Sequence, residues 1–344
     1  MHVHPLTDSH DESPERKHLR ETPAARTALT WSALTRMPNK ARLYQHDTLF
    51  REGVADALDV IGDRLGAILH RSALVMIKPE GLAGGKARTI VDFLQAHGFA
   101  IAAATLPFLT RLQWRELWRY QLAAATLDRL AVNDLILCDQ ALVLLLRHDG
   151  TLETPATVHL GVLKGPADIA RQSPSCLRRL LAQPNRLFSY CHVADEPADI
   201  LRELAVLFDG PLRRQLLANM VSGQLSAIDT RVLERTLVAS TQHARPFESE
   251  GAIARMADAV RGICGVAAEQ IRADIATMRR GEPIRWQPFV RAVAAAGIDI
   301  ERWDLALLGA AFTVHDEPGV AKTIASVDAA AWRLEVAERS PLDG

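Results

Sequence analysis

The chain has 344 residues, of which 48% are hydrophobic and 24% charged, and its formal net charge is −1. This composition is typical of a globular protein with two domains, or with one domain and large extensions. The balanced charge argues against a nucleic-acid-binding protein and against attachment to an anionic membrane. The cysteines lack the paired spacing of a disulfide framework or a CxxC zinc site, so no metal site is expected.

The N-terminal part carries no targeting signal that the sequence reveals. Residues 1–26 are polar and charged and are predicted to be a disordered tail. No apolar run reaches the roughly 20 residues of a membrane helix, and the N-terminus lacks the apolar region of a secretory signal. We therefore expect a cytoplasmic protein. Residues 27–71 are predicted to form a helical extension, in which residues 54–69 have the spacing of an amphipathic helix.

From residue 72 short apolar runs alternate with amphipathic segments. The predicted strands cover residues 73–77, 99–106, 141–147 and 187–191, and the predicted helices cover residues 86–97, 112–122 and 197–208. Two strand-helix-strand units that share one sheet are typical of an α+β fold, the ferredoxin-like sandwich, with helices over one face of an antiparallel sheet. We assign this domain to residues 72–210.

Beyond residue 210 no strand pattern is present. Helical spacing and alanine content predict helices over residues 212–220, 229–240, 251–278 and 287–296. Residues 211–335 are therefore predicted to be an all-α C-terminal extension, and residues 336–344 a tail.

Two strand ends carry side chains that suit phosphate chemistry. The first strand ends in the sequence VMIKPEG at residues 75–81, and the fourth leads to His192, with Glu203 eleven residues later. Between them lie GPAD at residues 165–168 and PSCLR at residues 174–178. In this order, over residues 72–209, these motifs resemble the nucleoside diphosphate kinase family, whose corresponding motifs read IKPDG, NPAD and PGTIR.

The resemblance implies a phosphotransferase that moves a γ-phosphoryl group from a nucleoside triphosphate, through a phosphohistidine, to a nucleoside diphosphate. It implies that His192 is the nucleophile and that Glu203 orients its other ring nitrogen. It implies that Lys78 and Arg178 bind the phosphate groups, because the transferred group needs fixed cations around it, and that Mg²⁺ accompanies the nucleotide. Three further positions fall where the family binds the nucleotide: Tyr120, Ser189 and Lys164.

The chain departs from the family pattern at positions that recognise the nucleoside. Val193 and Ala194 replace the glycine and the serine after the histidine, and that serine hydrogen-bonds the glutamate in the family. Ser189 replaces the asparagine that contacts the sugar, and residues 127–132 lack the aromatic that stacks on the base. Groups that handle charge thus persist while groups that choose the substrate do not, which favours an unusual nucleotide or acceptor.

Three hypotheses remain open from the sequence. The leading one is a phosphotransferase that takes a nucleoside triphosphate donor and a nucleoside diphosphate or another small-molecule acceptor. The second is a catalytically weak or inactive nucleotide-binding regulatory protein, which the substitution at Ala194 favours. The third is an interaction protein in which residues 211–335 act and the kinase-like domain is a scaffold. The family resemblance also implies a possible homo-oligomer.

Overall fold

Four strands form an antiparallel sheet in the computed structural model, which describes residues 30–333. In chain order they are β1 (Ser72–Ile77), β2 (Phe99–Thr105), β3 (Leu142–His148) and β4 (Cys191–Val193). Their order across the sheet is β2-β3-β1-β4, and every pairing is antiparallel. The predicted α+β sandwich is confirmed. The predicted tails at residues 1–26 and 336–344 lie outside the described residues.

Helices of the described residues surround this sheet. Those before it are α1 (Trp31–Leu34), α2 (Pro38–Tyr44), α3 (Thr48–Ile61) and α4 (Leu65–His70). Those between the strands are α5 (Pro79–Ala83), α6 (Ala87–Ala96), α7 (Arg111–Leu117), α8 (Leu127–Leu137), α9 (Ala156–Lys164) and α10 (Leu177–Leu180). Those after it are α11 (Pro197–Leu207), α12 (Gly210–Ser222), α13 (Ala227–Gln242), α14 (Ser249–Ala259), α15 (Val266–Arg279), α16 (Trp286–Ala295) and α17 (Arg302–Phe312). Short 3₁₀ helices occur at Gly62–Arg64, Leu122–Ala124, Ile169–Arg171 and Ala329–Trp332.

Glycines divide two segments for which the sequence predicts one helix each. Gly62 ends α3 with a φ of 64°, a conformation that favours glycine, so residues 54–69 are not one helix. Gly262 and Gly265, with φ of 79° and 108°, lie between α14 and α15. The prediction is wrong at both places because the apolar periodicity continues across the glycines. Helices α8 and α9 lie in segments where the apolar pattern predicts no element, and α17 lies in the predicted all-α extension beyond its last predicted helix.

Both faces of the sheet are covered, whereas the sequence predicts helices over one. Leu74 and Met76 of β1 pack in a first core with the N-terminal helices α3 and α4 and with α11 and α12. Val75 and Ile77 point the other way, into a second core with α6, α9 and α13. The extensions on both sides of the predicted domain therefore complete its hydrophobic cores.

The remaining C-terminal helices build a third core against the same domain. It joins α14 to α17 with α8 and with residues outside these helices, among them Trp114 and Phe188. Both aromatic side chains are fully buried. Within residues 30–333, no helix has the length and apolar character that a bilayer-spanning segment requires.

Candidate active site

The edge strand β4 begins at a backbone kink. Tyr190 adopts a φ of 62°, which is uncommon for any residue but glycine. Its N–H donates to Glu80 Oε1 (3.2 Å), and its carbonyl accepts from the Lys78 N–H (2.9 Å). Gly81 fits closely beneath it, since a Cβ there would lie 2.4 Å from the Tyr190 oxygen. The predicted fourth strand is present, but it covers Cys191–Val193 and not residues 187–191, because the apolar side chains before Cys191 are core residues of an irregular segment.

His192 lies in the middle of β4, opposite Met76 of β1. Its side chain is 14% exposed, and its Nε2 is 2.8 Å from Glu203 Oε1. The indole of Trp118 meets the imidazole edge to face, with ring centroids 5.3 Å apart. Nδ1 makes no hydrogen bond to any residue in the described range. The neighbouring Cys191 faces the second core, where burial raises the pKa of its thiol.

Glu203 is held on helix α11 in a nearly dry position. It is 5% exposed, and burial raises the pKa of its carboxyl, although His192 partly opposes this effect. Its second oxygen, Oε2, is buried without a hydrogen-bond partner in the described part of the chain. Ala194, which stands where the family carries a hydrogen-bonding serine, is itself fully buried and offers no side-chain donor.

Lys78 is already paired within the protein. Its Nζ lies 2.5 Å from Glu80 Oε1 and donates to the carbonyl of Leu187 (3.1 Å). Glu80 is fully buried. The ion pair offsets much of the positive charge of Lys78. Because Glu80 also accepts the Tyr190 N–H, the pair stabilises the Tyr190 kink, and Lys78 keeps only part of its charge for an anion beside it.

Arg178 and Lys164 bring two further buried cations to the edge of β4. Arg178 donates to the carbonyls of Gly165 (2.8 Å) and Cys191 (3.4 Å), while its Nε has no partner among the described residues. Lys164 ends α9 and is 8% exposed, and no residue in the range 30–333 gives it a hydrogen bond or ion pair. Burial, reinforced by the charge of Arg178, lowers the pKa of Lys164. No carboxylate of the described residues contacts the Arg178 guanidinium or the Lys164 ammonium.

Asp195 lies two residues after the end of β4, near the charges of Lys164 and Arg178. Burial favours its neutral form, but the positive charges of Lys164, Lys40 and Arg178 outweigh that effect and lower its pKa. Its carboxylate makes no hydrogen bond or ion pair within the described residues. No cluster of three or more His, Cys, Asp or Glu side chains in residues 30–333 could hold a metal ion by itself.

The start of α11 is fixed by the N-terminal extension, which the sequence motifs do not indicate. Lys40 bonds both Asp199 (2.7 Å) and Glu196 (2.9 Å). Tyr44 donates to Asp199 (2.5 Å), and Trp332 donates to Glu196 (3.0 Å). Because α11 carries Glu203, this buried network positions the partner of His192. The acidic run around Pro197 is the signal in the sequence, but its partners lie at least 136 residues away.

Tyr120 and Ser189, two of the three predicted nucleotide-binding residues, are held in other parts of the fold. Tyr120 donates to Asp47 (2.9 Å), which also accepts from Arg202 (2.7 Å). Tyr120 is therefore held by Asp47, whereas the aromatic ring in contact with His192 is that of Trp118, two residues before Tyr120. Ser189 is buried within the irregular segment before the kink. Lys164 alone of the three lies within the group of charges around Asp195.

The comparisons with known proteins concern the part of the chain that contains these residues. A family model described as nucleoside diphosphate kinase matches residues 71–211. These residues form a nucleoside diphosphate kinase-family domain. The domain accounts for the sheet, for the motif at Lys78 and for the pair His192 and Glu203, while the remaining helices lie outside the match.

Two similar solved structures carry the same family name. One is a nucleoside diphosphate kinase from Aquifex aeolicus, 19% identical, which covers 41% of this chain and 96% of that chain with a TM-score of 0.35. The other is a halophilic nucleoside diphosphate kinase from Halobacterium salinarum in complex with CDP, 18% identical. It covers 40% of this chain and 87% of that chain with a TM-score of 0.33. No curated protein gives a significant match.

Proposed function

We propose that the protein is a phosphotransferase that carries a phosphoryl group on His192. The observation that carries this proposal is the 2.8 Å contact between His192 Nε2 and Glu203. An ionised carboxylate only accepts hydrogen bonds, so the contact fixes the proton on Nε2. The lone pair then lies on Nδ1, which has no partner among residues 30–333.

The reaction has two steps that mirror each other. Nδ1 attacks the terminal phosphorus of a nucleoside triphosphate, a nitrogen–phosphorus bond forms, and the bond to the bridging oxygen breaks. The nucleoside diphosphate leaves with that electron pair. An acceptor phosphate oxygen then attacks the phosphohistidine and frees the imidazole. Glu203 stabilises the positive charge that the ring carries in between.

Lys164 and Arg178 bind the transferred group in this proposal. Both are buried, and neither has a carboxylate in contact among residues 30–333. An anion between them would offset the burial and the repulsion from Arg178 that lower the pKa of Lys164, and it would be stabilised strongly at low dielectric. Lys78 acts at longer range, because Glu80 holds its ammonium. Tyr120 and Ser189 position structure around the site.

The residues present are compatible with Mg²⁺ that arrives with the nucleotide. Mg²⁺ is usually held by one or two carboxylates together with substrate phosphates, and Asp195, close to Lys164 and Arg178, is a carboxylate without a hydrogen-bond or ion-pair partner among residues 30–333. When bound there, the ion would neutralise phosphate charge. No site built from protein ligands alone is proposed.

The test is phosphorylation of the full chain with γ-labelled ATP and Mg²⁺. We expect label that is acid-labile and base-stable, that is lost in His192→Ala, and that is kept in His243→Ala. His243 is an exposed histidine at the end of α13, so it controls for the loss of an imidazole. The labelled protein is then mixed with ADP, GDP and phosphorylated compounds without a nucleoside, and loss of label identifies the acceptor.

Two outcomes would contradict the proposal: no label with any nucleoside triphosphate, or equal label in His192→Ala. A second candidate function is a nucleotide-binding regulatory protein without turnover. The unpartnered Oε2 of Glu203 favours it, because a half-satisfied buried carboxyl orients the imidazole poorly. Nucleotide binding by the full chain without any phosphohistidine would support this second function.

A further inference from the structure

Two side chains hold the His192 imidazole, and they come from different helices. Glu203 on α11 lies 2.8 Å from Nε2, and Trp118, the first residue after α7, contacts the ring edge to face. The imidazole makes no other hydrogen bond or ring contact with residues 30–333. The direction in which Nδ1 points therefore depends on how α7 and α11 are held relative to each other.

One buried arginine joins these two helices. Arg202 directly precedes Glu203 on α11, and its side chain is 1% exposed. Its guanidinium donates both to the carbonyl of Glu116 on α7 (3.0 Å) and to the Glu116 carboxylate. Glu116 lies two residues before Trp118 in the last turn of α7. Arg202 thus binds the backbone and the side chain of the turn from which Trp118 leaves the helix.

The same guanidinium reaches the N-terminal extension. Its Nε donates to Asp47 (2.7 Å), which begins α3 by accepting from the Phe50 N–H (3.1 Å). The guanidinium also lies over the rings of Tyr44 and Tyr120, 5.7 and 5.2 Å from their centroids. Burial raises the pKa of Asp47, but the charge of Arg202 outweighs this effect and lowers that pKa. The extension therefore holds the arginine by an ion pair and by two aromatic rings.

We propose that Arg202 is a positioning residue for His192, which sets the separation between Trp118 and Glu203 and thereby the direction of Nδ1. The inference rests on the proposed function for the role of Nδ1 as the attacking atom. Arginine suits this task because its planar fork binds a carbonyl and two carboxylates at once. Without it, the turn that carries Trp118 is no longer bound to α11 by this side chain. The imidazole then rotates between Trp118 and Glu203, and attack on phosphorus depends strongly on that alignment.

The first experiment measures the tautomer of His192 in the full chain without nucleotide. Proton–nitrogen correlation spectra of the chain with isotope-labelled histidine distinguish protonated from unprotonated ring nitrogens, and the His192 signals are those that vanish in His192→Ala. In the neutral imidazole of the unchanged protein we expect a protonated Nε2 and an unprotonated Nδ1, because Glu203 accepts from Nε2. Arg202→Met should give signals averaged between the two tautomers, because the bond to Glu203 is made only part of the time.

The matched control is Arg213→Met. Arg213 on α12 is also a buried arginine that binds the N-terminal extension, through an ion pair with Asp56 of α3 (2.6 Å). It also donates to the carbonyl of Phe208 (3.3 Å). Among its hydrogen bonds and ion pairs in the described chain, none goes to α7. We expect Arg213→Met to be destabilised in urea as Arg202→Met is, with the His192 signals of the unchanged protein.

The second experiment follows the rate of labelling from γ-labelled ATP over a range of ATP concentrations. Arg202→Met should lower the rate at saturating ATP about tenfold. The half-saturating ATP concentration should stay nearly the same, because Arg202 makes no contact with Lys164 or Arg178. Arg202→Lys keeps the charge but loses the fork, so it should restore the free energy of unfolding more fully than the labelling rate.

Two results would overturn the inference: His192 signals in Arg202→Met identical to those of the unchanged protein, or the same change in Arg213→Met. If Arg202→Met does not fold, Glu116→Gln tests the link from α7, where the side chain is 24% exposed. It should shift the His192 signals in the same direction by a smaller amount, and unshifted signals would refute the link.

The labelling assay separates this inference from the proposed function. A His192 tautomer that depends on Arg202, in a protein that no nucleoside triphosphate labels, would support the positioning role and refute the proposed function. Label that forms on His192 equally fast in Arg202→Met and in the unchanged protein would do the reverse.

Discussion

Two buried lysines near the site should respond in opposite directions to the same substitution. Lys164 is 8% exposed and has no partner in residues 30–333, whereas Lys40 is 2% exposed and contacts two carboxylates. Methionine keeps the length of the side chain and removes the charge. We expect Lys164→Met to raise the free energy of unfolding by about 1–4 kcal/mol, since an unpaired buried charge is lost. We expect Lys40→Met to lower it by about 3 kcal/mol.

The estimate for Lys40→Met lies at the low end of the usual range for a reason seen in the structure. Glu196 would keep hydrogen bonds from Thr35 and Trp332, and Asp199 would keep the one from Tyr44. Only the charge of the pair would be left uncompensated. The same Lys164→Met variant should lose the phosphohistidine label, so the residue that destabilises the free protein would be the one that binds the substrate.

Urea unfolding at pH 7, followed by far-UV circular dichroism, measures both free energies, with the slope of each transition checked for equality. A Lys164→Met protein that is equally or less stable than the unchanged chain would refute the reasoning.

The pH dependence of the free energy of unfolding gives a second check. Because burial lowers the pKa of Lys164 in the folded protein, the unfolded chain binds more protons between the folded and unfolded pKa values. Stability should therefore rise with pH up to about 10.4, the ordinary lysine value. The difference in the free energy of unfolding between Lys164→Met and the unchanged protein should shrink over the same pH range.

Two further predictions concern Glu203 and Gly81. Glu203→Gln should slow labelling of His192 about 100-fold. In the unchanged protein, labelling should fall with decreasing pH above the ordinary glutamate pKa of about 4.3, because burial raises the pKa of Glu203. Glu203→Gln should lack the contribution of the carboxyl to that fall and keep the part caused by protonation of the imidazole, and an identical pH profile in both proteins would exclude an acceptor role for Glu203. Gly81→Ala places a Cβ 2.4 Å from the Tyr190 carbonyl and should cost about 2 kcal/mol in urea unfolding by forcing the kink apart. Gly66→Ala, in helix α4 with no atom within 4 Å of its Cβ, should instead gain about 0.5 kcal/mol, and equal effects of the two substitutions would contradict this reading.

The sequence predicts the sheet and the spacing between His192 and Glu203 because both depend on local patterns. A strand followed by a turn and a helix brings residues eleven apart together, and the apolar runs locate the strands. The same patterns mislead at residues 187–190. Apolar side chains there fill the core without forming a strand, because Tyr190 turns the backbone.

The rest of the site depends on contacts between distant segments. Lys78 and Glu80 are only two residues apart, but the sequence does not show that they are buried together as an ion pair, nor that Lys164 has no partner within residues 30–333, since burial and partners are properties of the folded chain. Trp118 takes the place beside His192 that the resemblance suggests for Tyr120, because α7 ends at Leu117 and the following turn sets the direction of each ring. The partners of Glu196 in the N-terminal extension have no counterpart in the family motifs.

The contacts of Glu196 also bear on the order in which the chain folds during synthesis. Its carboxylate accepts hydrogen bonds from Thr35 (2.5 Å) and from Trp332 (3.0 Å), residues close to the two ends of the described chain. A ribosome releases Trp332 only after the whole kinase-family domain has emerged. The contact also spans 136 residues, and long-range contacts of this kind form late in folding. We therefore expect His192 and Glu203 to come together first. The segment from residue 313 to Trp332 should then pack against the domain as the last step of folding.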